Sequence, residues 1–347
     1  MKESKSHIAR FTLGEGNTPL VESTSGQTFA SSGLFFKLES CNPTGSYKDR
    51  FVATEIWRLL QSGVRACMAT SSGNTGSSLA AYCARVGMRC MVMVNEDAPA
   101  GKLAQMQAHG AHVIRIPGFV VDPAITAEVF ATLQEVSRSR SIPLVVSAFH
   151  YCPEGMRGVE AIATELLSKS PDHVFVPIGG GGLYSAIVQG FLHAGGKLPR
   201  IHAVQPEGCL TLVASYLAGV TEVHPVTSRT TISGLSVPSD IDASRALGLL
   251  RHCRGIGFSV SDEEVFSAQS YLMRHEGIYC EPAGATAFAG WRKAVGQGQI
   301  QEQETSVCLV TGHGFKDSAS VERIATENPA VSVDPTHLAR TIAERMK

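Results

Sequence analysis

The sequence predicts an α/β fold with mostly parallel, open sheets flanked by helices. Short apolar runs alternate with helix-length segments, several of those segments follow glycine-bearing turns, and no internal repeat interrupts the series. The strands expected are 65–69, 89–94, 112–116, 144–147, 174–178, 201–205 and 307–310. Between them the periodicity turns helical. Segment 49–61 sets Phe51, Ile56, Leu59 and Leu60 near one face, and 183–193 repeats Leu183, Ile187 and Phe191 four apart. Segment 75–86 follows a glycine loop in the same way. Ser261 precedes Asp262, Glu263 and Glu264, an N-cap with acidic residues in the first turn. Segment 335–346 carries Leu338, Ile342 and Met346 at four-residue spacing, which suits a packing helix or a dimer contact.

The 347 residues, 44% of them apolar, suffice for one large domain or two coupled ones. The pattern suggests a smaller domain, 45–148, inserted in a larger one made of 1–44 and 149–347. Thirty basic residues against thirty-one acidic ones leave a formal charge of -1, which gives no electrostatic case for nucleic acid or an anionic membrane. A small-molecule partner is expected instead. Segment 174–196 lacks Asp, Glu, Lys and Arg, but Pro177, four glycines, Gln189 and His193 make it a strand, loop and helix rather than a membrane span. The N-terminal twenty residues lack the apolar stretch of a secretory signal, and the nine cysteines form no C-x-x-C pair. Both point to a reducing, cytoplasmic setting, with thiols such as Cys67 and Cys90 as core packing. His275, Cys280 and His313 lack metal-ligand spacing, so no metal is expected.

Four segments carry chemistry. In KLESCNPTGSYKDR, Lys48 stands between a turn and a helix start, beside Tyr47. A lysine there is ordinarily surface charge; its fixed direction makes it a candidate for an imine with an aldehyde cofactor. The loop Ser71-Ser72-Gly73-Asn74-Thr75-Gly76 offers side-chain donors and free N–H groups at a helix start, suited to a carboxylate or phosphate, although an ordinary capped turn looks the same. Gly179, Gly180, Gly181 and Gly182 lie between a strand and a helix and favour phosphate binding, since four glycines are entropically costly for a mere turn. Leu183-Tyr184 follows them, which excludes a P-loop, and no G-x-G-x-x-G can be placed. Thr311 sets a hydroxyl at a strand end, where ligands collect in open α/β sheets.

Taken in order, GNTPL (16–20), NPTGSYKDR (42–50), SSGNTG (71–76), GGGGL (179–183), EPAGATA (281–287) and TGHGFKD (311–317) resemble the fold-type II pyridoxal 5'-phosphate (PLP) enzymes, which are tryptophan synthase beta-like. NPTGSYKDR and TGHGFKD are most similar to the threonine synthases, whereas GGGGL is similar to the serine/threonine dehydratases. The resemblance implies a two-lobed homodimer with PLP in the cleft between the lobes. It implies that Lys48 carries the internal aldimine and later moves the substrate proton, and that Asn74 meets the ring oxygen. Gly179 to Gly182 hold the phosphate, Thr311 faces the pyridine nitrogen, and Ser72, Gly73, Asn74 and Thr75 receive the substrate carboxylate. Two departures stand out. Threonine synthases commonly have an asparagine in the phosphate loop, and Cys152 stands where they carry an arginine for the substrate phosphate, with Arg157 nearby. The expected chemistry is therefore elimination or replacement on an L-amino acid, threonine synthase-like. The alternatives are a serine/threonine dehydratase-type ammonia-lyase, β-replacement of the cysteine synthase type, and, last, a non-catalytic binding module.

Overall fold

The structure, a computed structural model, describes residues 11–24 and 33–346; the expectation about the chain's start falls partly outside them. The strands are β1 Leu20–Glu22, β2 Leu34–Lys37, β3 Ala66–Ala69, β4 Arg89–Asn95, β5 His112–Ile116, β6 His173–Pro177, β7 Arg200–Pro206, β8 Gly257–Val260 and β9 Ser306–Leu309. The first helices are α1 Lys48–Gln61, α2 Asn74–Val86, α3 Ala100–Ala108, α4 Pro123–Arg140, α5 Pro153–Arg157 and α6 Ala161–Leu166. They are followed by α7 Gly182–Ala194, α8 Leu212–Leu217, α9 Ala243–His252, α10 Asp262–His275, α11 Pro282–Gly296, α12 Ser318–Ala325 and α13 Leu338–Arg345. None of these helices is long and apolar enough to cross a membrane.

Two sheets result. The larger has the order β1-β2-β9-β6-β7-β8 and the smaller β3-β4-β5. Only the β1–β2 pair is antiparallel. The chain leaves the large sheet after β2, builds the small one, and returns at β6. Both faces of β6 and β3 are covered, and their side chains alternate between two cores. Val174 and Val176 enter a core shared with α1, α2 and α7, while Phe175 between them packs on the opposite face with Phe258, Phe288 and Trp291. In the small sheet, Cys67 and Ala69 face that first core and Met68 turns the other way, onto Phe119 and Leu133.

The expected segment 144–147 is not a strand. It pairs with β3 through a single parallel bridge, Met68 to Leu144, because Pro143 precedes it and the chain turns away at Ser147. Strands β1, β2 and β8 were not anticipated. LFFK ends on Lys37, which is buried in the sheet and reads as a surface residue in the sequence. At Ser261 the predicted cap is complete: its hydroxyl accepts from Glu264 N–H and the Glu264 carboxylate accepts from Ser261 N–H. On α13, Leu338, Ile342 and the adjacent Met346 are exposed.

Lys37 is buried because it belongs to a charged network. Its ammonium donates to Thr18 O and to Glu165, and Arg50 donates to Glu39 through Nε (2.7 Å) and to Glu165 through Nη1 (2.6 Å). The GNTPL segment completes it. Gly16 N–H donates to Asn42, Asn17 N–H to Glu165, and the Thr18 hydroxyl to Glu39. Burial pushes the Glu165 carboxyl up, but the hydrogen bonds from Arg50 and Lys37 outweigh it and hold its pKa at about 2.

Arg50→Ala leaves the buried Glu39 carboxylate without its cation and Glu165 with Lys37 alone, and should cost about 3–5 kcal/mol, read from urea unfolding. Because the Glu165 pKa falls on folding, its contribution is present above pH 4.5 and is lost as pH falls towards 2. Urea midpoints should therefore drop more steeply across that window in the wild type than in Glu165→Gln.

Candidate active site

The first turn of α1 sits where the two sheets meet. Ser46 bridges Gly312 in antiparallel fashion, Tyr47 N–H donates to Thr311 O (3.1 Å), and His313 N–H to Gly45 O (2.9 Å). The turn before Lys48 is thereby stitched to the end of β9. Asp49, fully buried, accepts from Thr44 N–H and hydroxyl and from Ser78 of α2. Asp49 and Arg50 thus hold Lys48 from behind, and its amine is free to reach forward. Lys48 Nζ lies 2.5 Å from Ser147 Oγ and 4.5 Å from the centre of the Tyr47 ring.

Ser147 links three of the predicted elements. Its hydroxyl is also 3.2 Å from Thr75 Oγ1, at the start of α2. Its carbonyl lies 3.3 Å from where a Cβ at Gly182 would stand. The glycine loop is held by Asp242, a residue the motifs did not single out. Asp242 N–H donates to Gly180 O, and its carboxylate accepts from Phe149 N–H (2.6 Å) and His150 N–H (3.1 Å). Burial raises its pKa, and those N–H bonds oppose the rise. Gly181 has φ +92° and a Cβ there would stand 2.7 Å from Asp242 O, so both backbone and space demand glycine.

On the other side, Asn74 Nδ2 donates to Glu281 Oε1 (2.7 Å), and Glu281 N–H donates to Gly312 O (3.1 Å). Burial pushes the Glu281 carboxyl up to about 7, against the Asn74 hydrogen bond and the charges of Lys316 and Lys102. The Thr311 hydroxyl is buried and donates to Ala283 O at 3.3 Å. Lys48, Asn74, Thr75, Gly182 and Thr311 are thus connected through named contacts. Ser72 is half-buried and Gly73 exposed on the loop before α2. Arg157 does not join them: its side chain is exposed and paired with Glu154. Cys152 is buried beneath, as the residue before α5.

Ser147, Asp242 and Lys316 escaped the sequence reading. The first two lie in segments with no glycine or charge pattern, and only the fold brings them to Lys48 and the glycine loop. Lys316 was in view, inside TGHGFKD, but nothing local says that its amine turns back across Gly45.

A parallel-rich pair of sheets with this junction defines the class of fold-type II PLP enzymes. Solved structures share the architecture: tomato (Solanum lycopersicum) threonine deaminase isoform 2 at TM-score 0.76 and 18% identity, covering 95% of each chain, and maize serine racemase at TM-score 0.74 and 21% identity, covering 99% of this chain and 97% of that one. The chain belongs to the pyridoxal-phosphate dependent enzyme family, whose model matches residues 11–312. It is similar to the threonine synthase of Methanocaldococcus jannaschii, 33% identical over 96% of this chain and 83% of that protein. It is also similar to the threonine synthase of Mycobacterium bovis, 34% identical over 93% of this chain and 88% of the relative.

The residues present fit PLP. Gly179 to Gly182 form a cradle that side chains would fill, at the start of an α7 whose Gly181 cap makes no side-chain bond. Lys48 offers an amine for an aldehyde, Asn74 a second amide N–H for a ring oxygen, and Thr311 a neutral hydroxyl that would turn from Ala283 O to meet a ring nitrogen. At Gly312 an added Cβ would stand 1.9 Å from Glu281 Oε1 and 3.2 Å from Asn74 Nδ2. Gly312→Ala should displace Asn74 and lower kcat/KM on the order of 100-fold, measured by steady-state kinetics on the best substrate.

Proposed function

We propose that the chain is a carbon–oxygen lyase acting on an L-amino acid, and that its reaction is threonine synthase-like: O-phospho-L-homoserine plus water gives L-threonine plus phosphate. The observation that carries this reading is the convergence of Lys48 with Ser147, Thr75 and the Thr311 strand end, in a chain one-third identical to threonine synthases over most of its length. In this reading Lys48 would hold the cofactor through its Nζ. The same Nζ would take the substrate α-proton and return it later, with Ser147 steadying the amine. Gly179, Gly180, Gly181 and Gly182 hold the cofactor phosphate. Asn74, fixed by Glu281, still has a second N–H for the ring oxygen. Thr311 faces the pyridine nitrogen, where a neutral hydroxyl does not force protonation. Ser72, Gly73, Asn74 and Thr75 receive the substrate carboxylate. When bound, PLP supplies the electron sink that lets a carbon–hydrogen bond ionise.

The second reading is a dehydratase that releases ammonia from serine or threonine, favoured by the four-glycine loop and by Cys152 in place of an arginine. β-Replacement of the cysteine synthase type is the third. We further propose that 45–148 forms the smaller mobile lobe, set into a larger one of 1–44 and 149–347. A homodimer in the cytoplasm is the setting proposed; all nine cysteines are free, which suits a reducing compartment.

Purified enzyme given O-phosphohomoserine, serine and threonine, followed for phosphate, ammonia and keto acid, separates the readings. Phosphate with threonine is expected; ammonia and keto acid without phosphate would replace the leading assignment with the dehydratase. O-acetylserine with sulfide tests replacement. Borohydride reduction followed by peptide mapping should place the trapped cofactor on Lys48.

A further inference from the structure

Two lysines that act on the Glu281 carboxyl, Lys102 and Lys316, have no part in the roles above. Helix α3 packs inward through Leu103 and Met106, both buried, the second against Gly76 at the start of α2. This leaves Lys102 and Gln105, one helical turn apart, facing the large sheet. Lys102 Nζ donates to Ser233 Oγ at 2.7 Å. Ser233 precedes Gly234, whose carbonyl lies 3.3 Å from where a Cβ at Gly179 would stand, so Lys102 reaches the rim of the glycine loop. From the opposite side Lys316 crosses Gly45, its Cε 3.1 Å from a Cβ built there, and Nζ donates to Gln105 Oε1 at 2.5 Å.

Neither ammonium has a carboxylate within salt-bridge distance among the described residues. Lys316 is half-buried with only an amide oxygen as hydrogen-bond acceptor, and Lys102 has only a hydroxyl. Both act on the Glu281 carboxyl beside Asn74, so both belong to the same end of the cleft. The nearby carboxylates Asp49 and Glu281 are hydrogen-bonded to Thr44, Ser78 and Asn74, and act on Lys316 through charge without direct contact. Two cations held by neutral acceptors that an anion can displace make a receptor for a second negative group on the substrate.

We propose that Lys102 and Lys316, reaching into the cleft from α3 and from the turn after β9, bind the distal anionic group of the substrate and select an L-amino acid ending in phosphate. In this chain they do the work for which Cys152 and the outward-facing Arg157 are unsuited. The proposal rests on the reading of an amino-acid lyase with an anionic leaving group.

The test is calorimetric titration of holoenzyme with L-norvaline and with norvaline bearing a terminal phosphonate. The wild type should prefer the phosphonate by at least about tenfold. That preference should fall towards unity in the Lys102→Met/Lys316→Met double variant, persist in Lys316→Arg, and be unchanged in Lys169→Met, an exposed lysine over the Phe35 ring. The cofactor absorption band of each variant shows that it has folded and taken up PLP. Equal wild-type affinity for the two probes, or a preference that survives the double substitution, overturns the proposal. Phosphonate preference without phosphate release from O-phosphohomoserine sinks the threonine synthase reading and leaves the two-lysine site standing. Phosphate release without preference does the reverse.

Discussion

Arg50 between Glu39 and Glu165 is the constraint on which the rest depends. Two carboxylates and two cations leave water here, and each would be expensive alone; together they satisfy one another through charge-assisted hydrogen bonds. The arrangement fixes three distant stretches at once: GNTPL, the first turn of α1, and α6 through Glu165. Lys48 lies two residues from Arg50, so its backbone position is set by this network before any ligand is considered. Much of what looks like a catalytic signature in NPTGSYKDR is therefore scaffolding. Asn42, Thr44, Asp49 and Arg50 are spent on aiming a single amine.

The same division of labour explains what could be read in the chain. Strands β4, β6, β7 and β9, and helices α1, α2 and α7, were legible because their apolar residues are mostly buried, and β5 through Val113, Ile114 and Ile116 although much of it is exposed. β2 was not, since its Lys37 is buried by partners that come from residues 18 and 165. Strand character at 144–147 was over-read: Val145 and Val146 are β-formers, but their pairing stops at one bridge because the segment must bend to deliver Ser147 and the two N–H groups that Asp242 accepts. At the site, glycines and the motif lysine announce themselves by type. Ser147 and Asp242 are ordinary residue types in ordinary segments, and their importance is wholly three-dimensional.

Glu281 shows how far a polar group can be tuned by its surroundings. Its carboxyl is buried against Gly312, which has no side chain to push it away, and Asn74 is its hydrogen-bond partner. The two lysines at the same end of the cleft pull its proton affinity down while burial pushes it up, leaving it near neutrality. EPAGATA therefore contributes more than a helix start; it supplies the group that orients the SSGNTG loop from across the cleft.

The contact between Lys48 and Ser147 joins the first turn of α1 to the segment just past the Leu144 bridge, 99 residues further along the chain. The residues between them are tied to the rest at further points: Tyr82 donates to Glu15, Asn74 to Glu281 and Lys102 to Ser233, and α1 and α2 share a core with α7. Recombination at these two positions would therefore have to carry matching partners with it, since the SSGNTG loop meets Glu281 and α3 meets Ser233, both outside the exchanged stretch.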